Sequence, residues 1–164
     1  MISIQNIPVP TDTLLGNYSS VTGAYTDCYM TGIARTVSFP EFVFAFYTTP
    51  LFKLERLILL TVSKPSSDTQ ARQLADGKIE KFAAWTVEAR TENELLMCDY
   101  LSRTRSWFMA KSDGAKTQLY FGSAVVPKTG ATSLDLGFRT LLGFHRIYSV
   151  LLLRSARSRL NRQR

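Results

Sequence analysis

Residues 143–164 read GFHRIYSVLLLRSARSRLNRQR, an apolar run that passes within a few positions into a series of arginines. From Leu134 onward the apolar positions recur every three or four residues, which is the spacing of one helix face. These positions are Leu134, Phe138, Leu141, His145, Tyr148 and Leu152. Thr132 and Asp135 have the spacing of a capping box just before this run. The sequence therefore predicts a long C-terminal helix that buries its apolar face against the rest of the chain.

The same stretch does not fit a membrane-spanning helix, because residues 134–153 are interrupted by ionisable side chains. The interruptions are Asp135, Arg139, His145 and Arg146. The N-terminal residues MISIQNIPVPTDTLL lack the basic patch and long apolar core of a secretory signal. Both cysteines, Cys28 and Cys98, lie in largely apolar segments. We expect a soluble protein in a reducing cytoplasm.

Positive charge is concentrated at the C-terminus. The chain has a formal net charge of +7, and residues 139–164 contain seven arginines and no acidic residue. Positive and negative side chains are therefore equal in number in residues 1–138. Beyond Leu153 the sequence offers a helix no further apolar partners, and arginines there complement the helix dipole in solvent. The alternative is weak, nonspecific binding of nucleic acid or anionic lipid. The arginines available for it are Arg154, Arg157, Arg159, Arg162 and Arg164.

Upstream, residues 26–37 have the β-branched and aromatic content of a strand. Ser38 and Glu41 then form a capping-box pattern, and two short buried helices separated by a bend at Pro50 are expected to follow. The second of these carries Leu51, Leu54, Ile58 and Val62 on one face. A further short helix begins with a second box at Ser67 and ends at Gly77.

Four runs of strand-like sequence follow, separated by short turn-like links: FAAWTVEAR, ELLMCDY, RTRSWFMAK and TQLYFGSAVV. They predict an antiparallel meander. The fold class is therefore α+β, with an antiparallel sheet of about five or more strands gripping the long C-terminal helix and short helices after the first strand. Residues 1–20 are expected to be loosely ordered, residues 21–157 to form a single domain, and residues 158–164 to form a basic tail.

Several of these segments resemble a bacterial group, domain-of-unknown-function family 2867. The resemblance rests on PLFKLERLILL, CDYLSRTRSWFM, LYFGSAVVP and GFHRIYSVLLLR, within residues 25–157. The element order is similar to that of the START-like, helix-grip domains. The resemblance implies a curved sheet around the last helix, with an apolar cavity between them.

A candidate ligand site follows from alternation along one strand. If Thr104, Ser106, Phe108 and Ala110 face the helix, their mostly small side chains leave space beneath it, with a few hydroxyls in apolar surroundings. Arg105 could bind an anionic group at the mouth. The alternative is a filled core. The candidate ligand-binding residues are Trp85, Thr104, Arg105, Ser106, Phe108, His145 and Tyr148.

Catalytic motifs are sparse. His145 is the single histidine, and packing is the alternative to a role in proton transfer. Asp99 is expected to pair with a guanidinium of Arg103 or Arg105 across the strand link. No catalytic residue, metal site or cofactor is predicted, because no metal-binding or nucleotide-binding motif is present.

The favoured function is a binding module for a small apolar or amphipathic ligand. The alternatives are an enzyme using the same cavity through His145 or Asp99, and an adaptor binding anionic lipid or nucleic acid. The oligomeric state is not indicated.

Overall fold

The structure is a computed structural model that describes residues 3–59, 65–128, 130–131, 133–134 and 136–162. The side chains of residues 58, 59, 136 and 138–142 also lie outside this description. Some of the predictions above fall on positions that are not described. They concern Ile58, Val62, Thr132, Asp135, Phe138, Arg139, Leu141 and Arg164.

Within these residues the fold is α+β, as predicted. The strands are β1 (Gln5–Asn6), β2 (Tyr25–Ile33), β3 (Lys81–Phe82), β4 (Trp85–Arg90), β5 (Glu94–Asp99), β6 (Thr104–Ser112) and β7 (Thr117–Val125). The helices are α1 (Phe39–Tyr47), α2 (Pro50–Leu59), α3 (Asp68–Ala75) and the long α4 (Leu136–Arg162). The described strands form one antiparallel sheet in the order β1-β2-β7-β6-β5-β4-β3.

Local sequence signals place the short helices. The Ser38 hydroxyl accepts a hydrogen bond from the amide of Glu41, whose carboxylate accepts one from the amide of Ser38. Ser67 and Gln70 form the same reciprocal pair at α3. Gly77 follows α3 with φ of +73°, a conformation that glycine adopts without steric cost. The capping boxes predicted at Ser38 and Ser67 are confirmed.

The four described α-helices pack on one face of the sheet. Phe42 and Phe46 of α1 contact Phe108 of β6, while Leu153 of α4 is fully buried in the same cluster. This inner face is the main apolar core. Because β5, β6, β7 and β2 pair in one continuous register, Met97, Ser106, Ser123 and Asp27 form a single cross-strand row on it.

The N-terminal residues cover the opposite, outer face of the sheet. Leu15 is fully buried against Trp107 in a second apolar cluster. The amide of Leu14 donates to a carboxylate oxygen of Glu94 at 2.9 Å, and the indole Nε1 of Trp107 donates to the same oxygen at 2.8 Å. The N-terminal residues therefore remove the Trp107 indole from solvent.

The end of α4 differs from the prediction that apolar partners end at Leu153. Ala156 and Leu160 are both fully buried, and the carbonyl of Leu160 accepts a hydrogen bond from Nη2 of Arg35 at 2.9 Å. The apolar stripe therefore continues two further turns between the arginines. None of the described helices is long and apolar enough to cross a membrane.

Candidate functional site

A cavity of about 200 Å³ lies between the helices and the inner face of the sheet. We call it the aromatic cavity. Its walls come from α1, α2 and α4 on one side and from β4, β6 and β7 on the other. The residues around it are Phe46, Tyr47, Phe52, Glu55, Trp85, Thr104, Arg105, Ser106, Phe108, Phe121, His145, Tyr148, Ser149 and Leu152. All seven candidate residues from the sequence therefore border one space.

Ring contacts build the apolar wall. Phe46 lies 4.7 Å from both Phe108 and Phe121, measured between ring centroids. Tyr47 lies 4.8 Å from Phe52, and Phe52 lies 5.8 Å from Trp85. Such edge and tilted contacts stabilise aromatic clusters beyond simple area burial. The wall is therefore held in place without a ligand.

Thr104 and Ser106 add polar groups to this wall. Strand alternation places both on the same face as the buried Phe108, as the sequence predicted. Their hydroxyls make no hydrogen bond to any other described residue. They are thus available to a ligand in the aromatic cavity.

Glu55 and Tyr148 close one end of the cavity. The Tyr148 hydroxyl donates a hydrogen bond to Oε2 of Glu55. Burial raises the pKa of the Glu55 carboxyl, while the bond from Tyr148 opposes that rise. Burial also raises the pKa of Tyr148, and the charge of Glu55 adds to the effect. The pair is a half-buried acid with a phenol as its hydrogen-bond partner.

An exposed apolar groove of about 500 Å³ adjoins the aromatic cavity and shares Glu55 and Tyr148 with it. We call it the apolar groove. Its other lining residues are Leu51, Leu54, Phe144, Ile147 and Leu151. Leu54 of α2 and Phe144 of α4 are 54% and 68% exposed, although Leu54 was expected on a buried face. The Glu55–Tyr148 pair thus separates the cavity from an apolar surface open to solvent.

His145 is tied to the sheet by a buried polar chain. Its Nε2 lies 2.7 Å from Oγ of Ser123, and that hydroxyl donates to Oδ1 of Asp27. Tyr25 donates to the other oxygen of Asp27 at 3.0 Å, and Nε of Arg146 donates to the Tyr25 hydroxyl at 2.7 Å. The chain runs from an exposed guanidinium to the imidazole at the cavity wall.

The electrostatics of this chain favour a neutral imidazole. Burial lowers the pKa of His145, and the nearby charge of Asp27 opposes that effect without reversing it. With the Ser123 proton directed to Asp27, the serine oxygen accepts from Nε2–H of His145. His145 is therefore not placed as a base for Ser123, and it presents an uncharged ring edge to the cavity.

Arg105 borders the cavity, but its guanidinium is engaged elsewhere. Its Nε donates to Glu88 at 2.9 Å, Nη1 donates to the carbonyl of Ser102, and its charge lies 5.0 Å from the ring centroid of Tyr18. Tyr18 belongs to the outer-face cluster, and Arg105 shares the strand parity of the outer-facing Trp107. The Arg105 guanidinium is therefore directed away from the cavity mouth, where the hypothesis of anion binding would require it.

Asp99 has a turn-forming role. Its Oδ1 accepts hydrogen bonds from the backbone amides of Arg103 and Thr104, at 2.7 and 3.1 Å. The carboxylate that pairs with Arg105 is Glu88. Of the two guanidinium groups expected to pair with Asp99, that of Arg105 pairs with Glu88 instead, because the tight link directs the aspartate to its own turn amides. Asp99 does not line the aromatic cavity.

The C-terminal arginines that the structure describes lie along α4. Arg154 is exposed, Nε of Arg162 donates to the carbonyl of Ser158, and the Arg159 guanidinium lies 6.0 Å from the ring centroid of Phe44. Among the described residues no group of three His, Cys, Asp or Glu side chains is arranged to hold a metal ion.

Asp27, Ser123 and Glu55 were not among the candidate residues from the sequence. Asp27 is the single acid in a strand of otherwise apolar, aromatic and small residues, which is a signal for a buried, bonded carboxylate. Glu55 follows Leu51 by four residues and so lies on the apolar face of α2. Ser123 carried no such signal.

Comparison of the chain with known proteins found no matching family model, no matching curated protein and no matching solved structure. The resemblance to family 2867 and to the START-like domains therefore stays a prediction. The function has to be argued from the geometry of the site.

Proposed function

We propose that the protein binds a small apolar or amphipathic molecule in the aromatic cavity. The observation that carries this proposal is the preformed aromatic wall with the two open hydroxyls of Thr104 and Ser106 on it. Ligand sites are usually concave and mainly apolar, with a few polar groups that fix orientation. A family relationship to helix-grip domains would agree with this use of the space between sheet and helix.

The cavity volume restricts the ligand. An engineered apolar cavity of about 150 Å³ in another protein binds benzene, so a space of about 200 Å³ suits a molecule built on one ring. A longer apolar chain would have to extend past Glu55 and Tyr148 into the apolar groove. We propose a single-ring compound, with the groove as its route of entry.

Calorimetry and thermal stabilisation with phenol, toluene and 2-phenylethanol test this proposal. Ser106→Leu fills the cavity, and Ser112→Leu at the exposed end of the same strand is the matched control. We expect binding to the wild type and to the Ser112 variant but not to the Ser106 variant. Failure of all three compounds to bind, or equal binding to both variants, would contradict it.

Two alternatives remain proposals. An enzyme could use the same cavity with His145 as a proton-transfer group, which the position of its imidazole at the cavity wall supports. A measurable conversion of a bound compound that is lost in His145→Gln would favour it. An adaptor role is the second alternative, and it would use the exposed arginines of α4. Because Ala156 and Leu160 are buried, truncating the chain at these arginines would damage the core. Arg154→Ala combined with Arg162→Ala is the better test, read as retention on heparin or anionic vesicles.

The two free thiols, Cys28 and Cys98, support a reducing compartment such as the cytoplasm for this function. Burial raises the pKa of Cys28 to about 12. Such a thiol is poorly reactive, because the thiolate is the reactive form.

A further inference from the structure

The electrical character of the aromatic cavity suggests the chemical class of its ligand. Glu55 is the one acidic side chain around the cavity among the described residues. Of the basic residues there, Arg105 directs its guanidinium to Glu88 on the outer face, and burial lowers the pKa of His145. A ligand in this space therefore meets an acid and no facing cation from the described part of the chain.

Glu55 lacks a counterion in the same part of the chain. The neighbouring cations of α2, Lys53 and Arg56, both bond to Asp68 at the start of α3. The described partner of the Glu55 carboxylate is the uncharged hydroxyl of Tyr148. A carboxylate removed from water without a cation is costly, so a positively charged partner would be bound favourably there.

Aromatic rings that border the same cavity suit the same kind of partner. Phe52, Trp85 and Tyr148 border the cavity together with the carboxylate. Aromatic faces attract ammonium groups through their quadrupoles, and more strongly when the groups are desolvated. Tyr47, whose ring packs on Phe52, extends this wall.

We propose that the aromatic cavity binds an organic ammonium ion carried on a single aromatic ring, with Glu55 as its counterion and Phe52, Trp85 and Tyr148 around the charge. This inference rests on the proposed function and adds the charge of the ligand to it. The ring of the ligand lies against the apolar wall by Phe108, and the ammonium lies at the Glu55–Tyr148 pair.

A set of three probes with similar bodies tests the charge preference by calorimetry at neutral pH: 2-phenylethylammonium, 2-phenylethanol and 3-phenylpropanoate. We expect the ammonium to bind at least about tenfold more tightly than the alcohol, which corresponds to about 1.4 kcal/mol. The carboxylate should bind most weakly. In Glu55→Gln the ratio of ammonium to alcohol affinity should fall below about threefold.

Matched variants separate the possible results. Glu80→Gln, at an exposed carboxylate outside the cavity, should keep the preference, and Trp85→Leu should reduce it. Circular dichroism and a melting curve establish that each variant is folded. Binding of the alcohol without a preference for the ammonium, or a preference that survives in Glu55→Gln, would overturn the ammonium site alone. Binding of none of the three probes to the wild type would overturn the proposed function as well.

Discussion

The hydroxyl of Tyr148 on α4 donates a hydrogen bond to Oε2 of Glu55 on α2, and this bond joins the two helices where the aromatic cavity meets the apolar groove. Few other contacts in the described residues link α2 to the long helix. The pair therefore has a structural role in addition to its place in the proposed site. Tyr148 also stacks on Phe144, with ring centroids 6.0 Å apart.

The first prediction concerns this bond. Tyr148→Phe leaves the ring and removes the donor, so the Glu55 carboxylate loses its hydrogen bond while it remains partly buried. We expect a loss of about 1–3 kcal/mol in the free energy of unfolding, measured by urea denaturation at neutral pH. Tyr100→Phe, at a 59% exposed tyrosine, is the control. Equal stability of the two variants would show that the bond contributes nothing.

The second prediction concerns the attachment of the N-terminal residues. Glu94→Ala leaves two donors, the amide of Leu14 and the indole of Trp107, without their shared acceptor. Each unsatisfied buried donor costs about 1–3 kcal/mol, so for two donors we expect a loss of about 2–6 kcal/mol. Trp107 fluorescence, followed in a Trp85→Phe background, should shift to the red as water reaches the indole. Glu92→Ala, an exposed acid in the same hairpin, should behave as wild type.

Much of the fold could be predicted because its signals are local. The boxes at Ser38 and Ser67 and the turn at Gly77 each depend on a few neighbouring residues, and the meander follows from strand-length runs between turn residues. The two-residue strands β1 and β3 carry no periodicity and were missed. The cover on the outer face was also missed, because it depends on single long-range contacts such as that between Leu14 and Glu94.

The candidate site was partly predictable for the same reason. Alternation along β6 placed Thr104, Ser106 and Phe108 on the helix side, and helical spacing placed His145 and Tyr148 opposite them. The orientation of the Arg105 guanidinium could not be predicted, because its partners Glu88 and Tyr18 come from distant parts of the chain. Their contact with β6 depends on the completed tertiary fold.

The third prediction concerns the close packing at Gly122 of β7. A Cβ there would lie 2.5 Å from Cδ2 of Leu15 and 2.7 Å from the backbone oxygen of Asp27. Gly122→Ala should therefore cost about 1–3 kcal/mol through overpacking. Adding Leu15→Ala removes the side-chain clash but leaves the clash with the backbone. The stability losses of the two single variants should therefore not add up to that of the double variant.

Gly143→Ala is the matched control for Gly122. A Cβ at Gly143 meets no atom within 4 Å, and the residue lies inside α4. Alanine there should stabilise the protein by about 0.5–1 kcal/mol, because it restricts the unfolded chain and favours the helix. Thermal melts of both variants test the pair. A neutral Gly122→Ala would contradict the close approach of Leu15 to the sheet.

The fourth prediction concerns pH and the single histidine. Burial holds the pKa of His145 in the folded protein below its ordinary value of 6.5. Between the folded pKa and 6.5, the unfolded chain therefore binds more protons than the folded one. Stability should therefore be complete above pH 6.5 and fall as pH decreases through the window down to the folded pKa. The steepest loss from one proton is about 1.4 kcal/mol per pH unit. The charge of Asp27 acts on the ring from β2, behind Ser123, and Glu55 borders the same cavity from α2.

His145→Gln removes this titration while keeping an amide that can bond to Ser123. Urea denaturation of both proteins from pH 7 to pH 5 gives the difference in unfolding free energy at each pH, and the contributions of the carboxylates largely cancel between them. We expect the wild type to lose stability relative to the variant as the pH falls. A constant difference would show that His145 titrates as it does in the unfolded chain, which would contradict the burial of its ring in the folded protein.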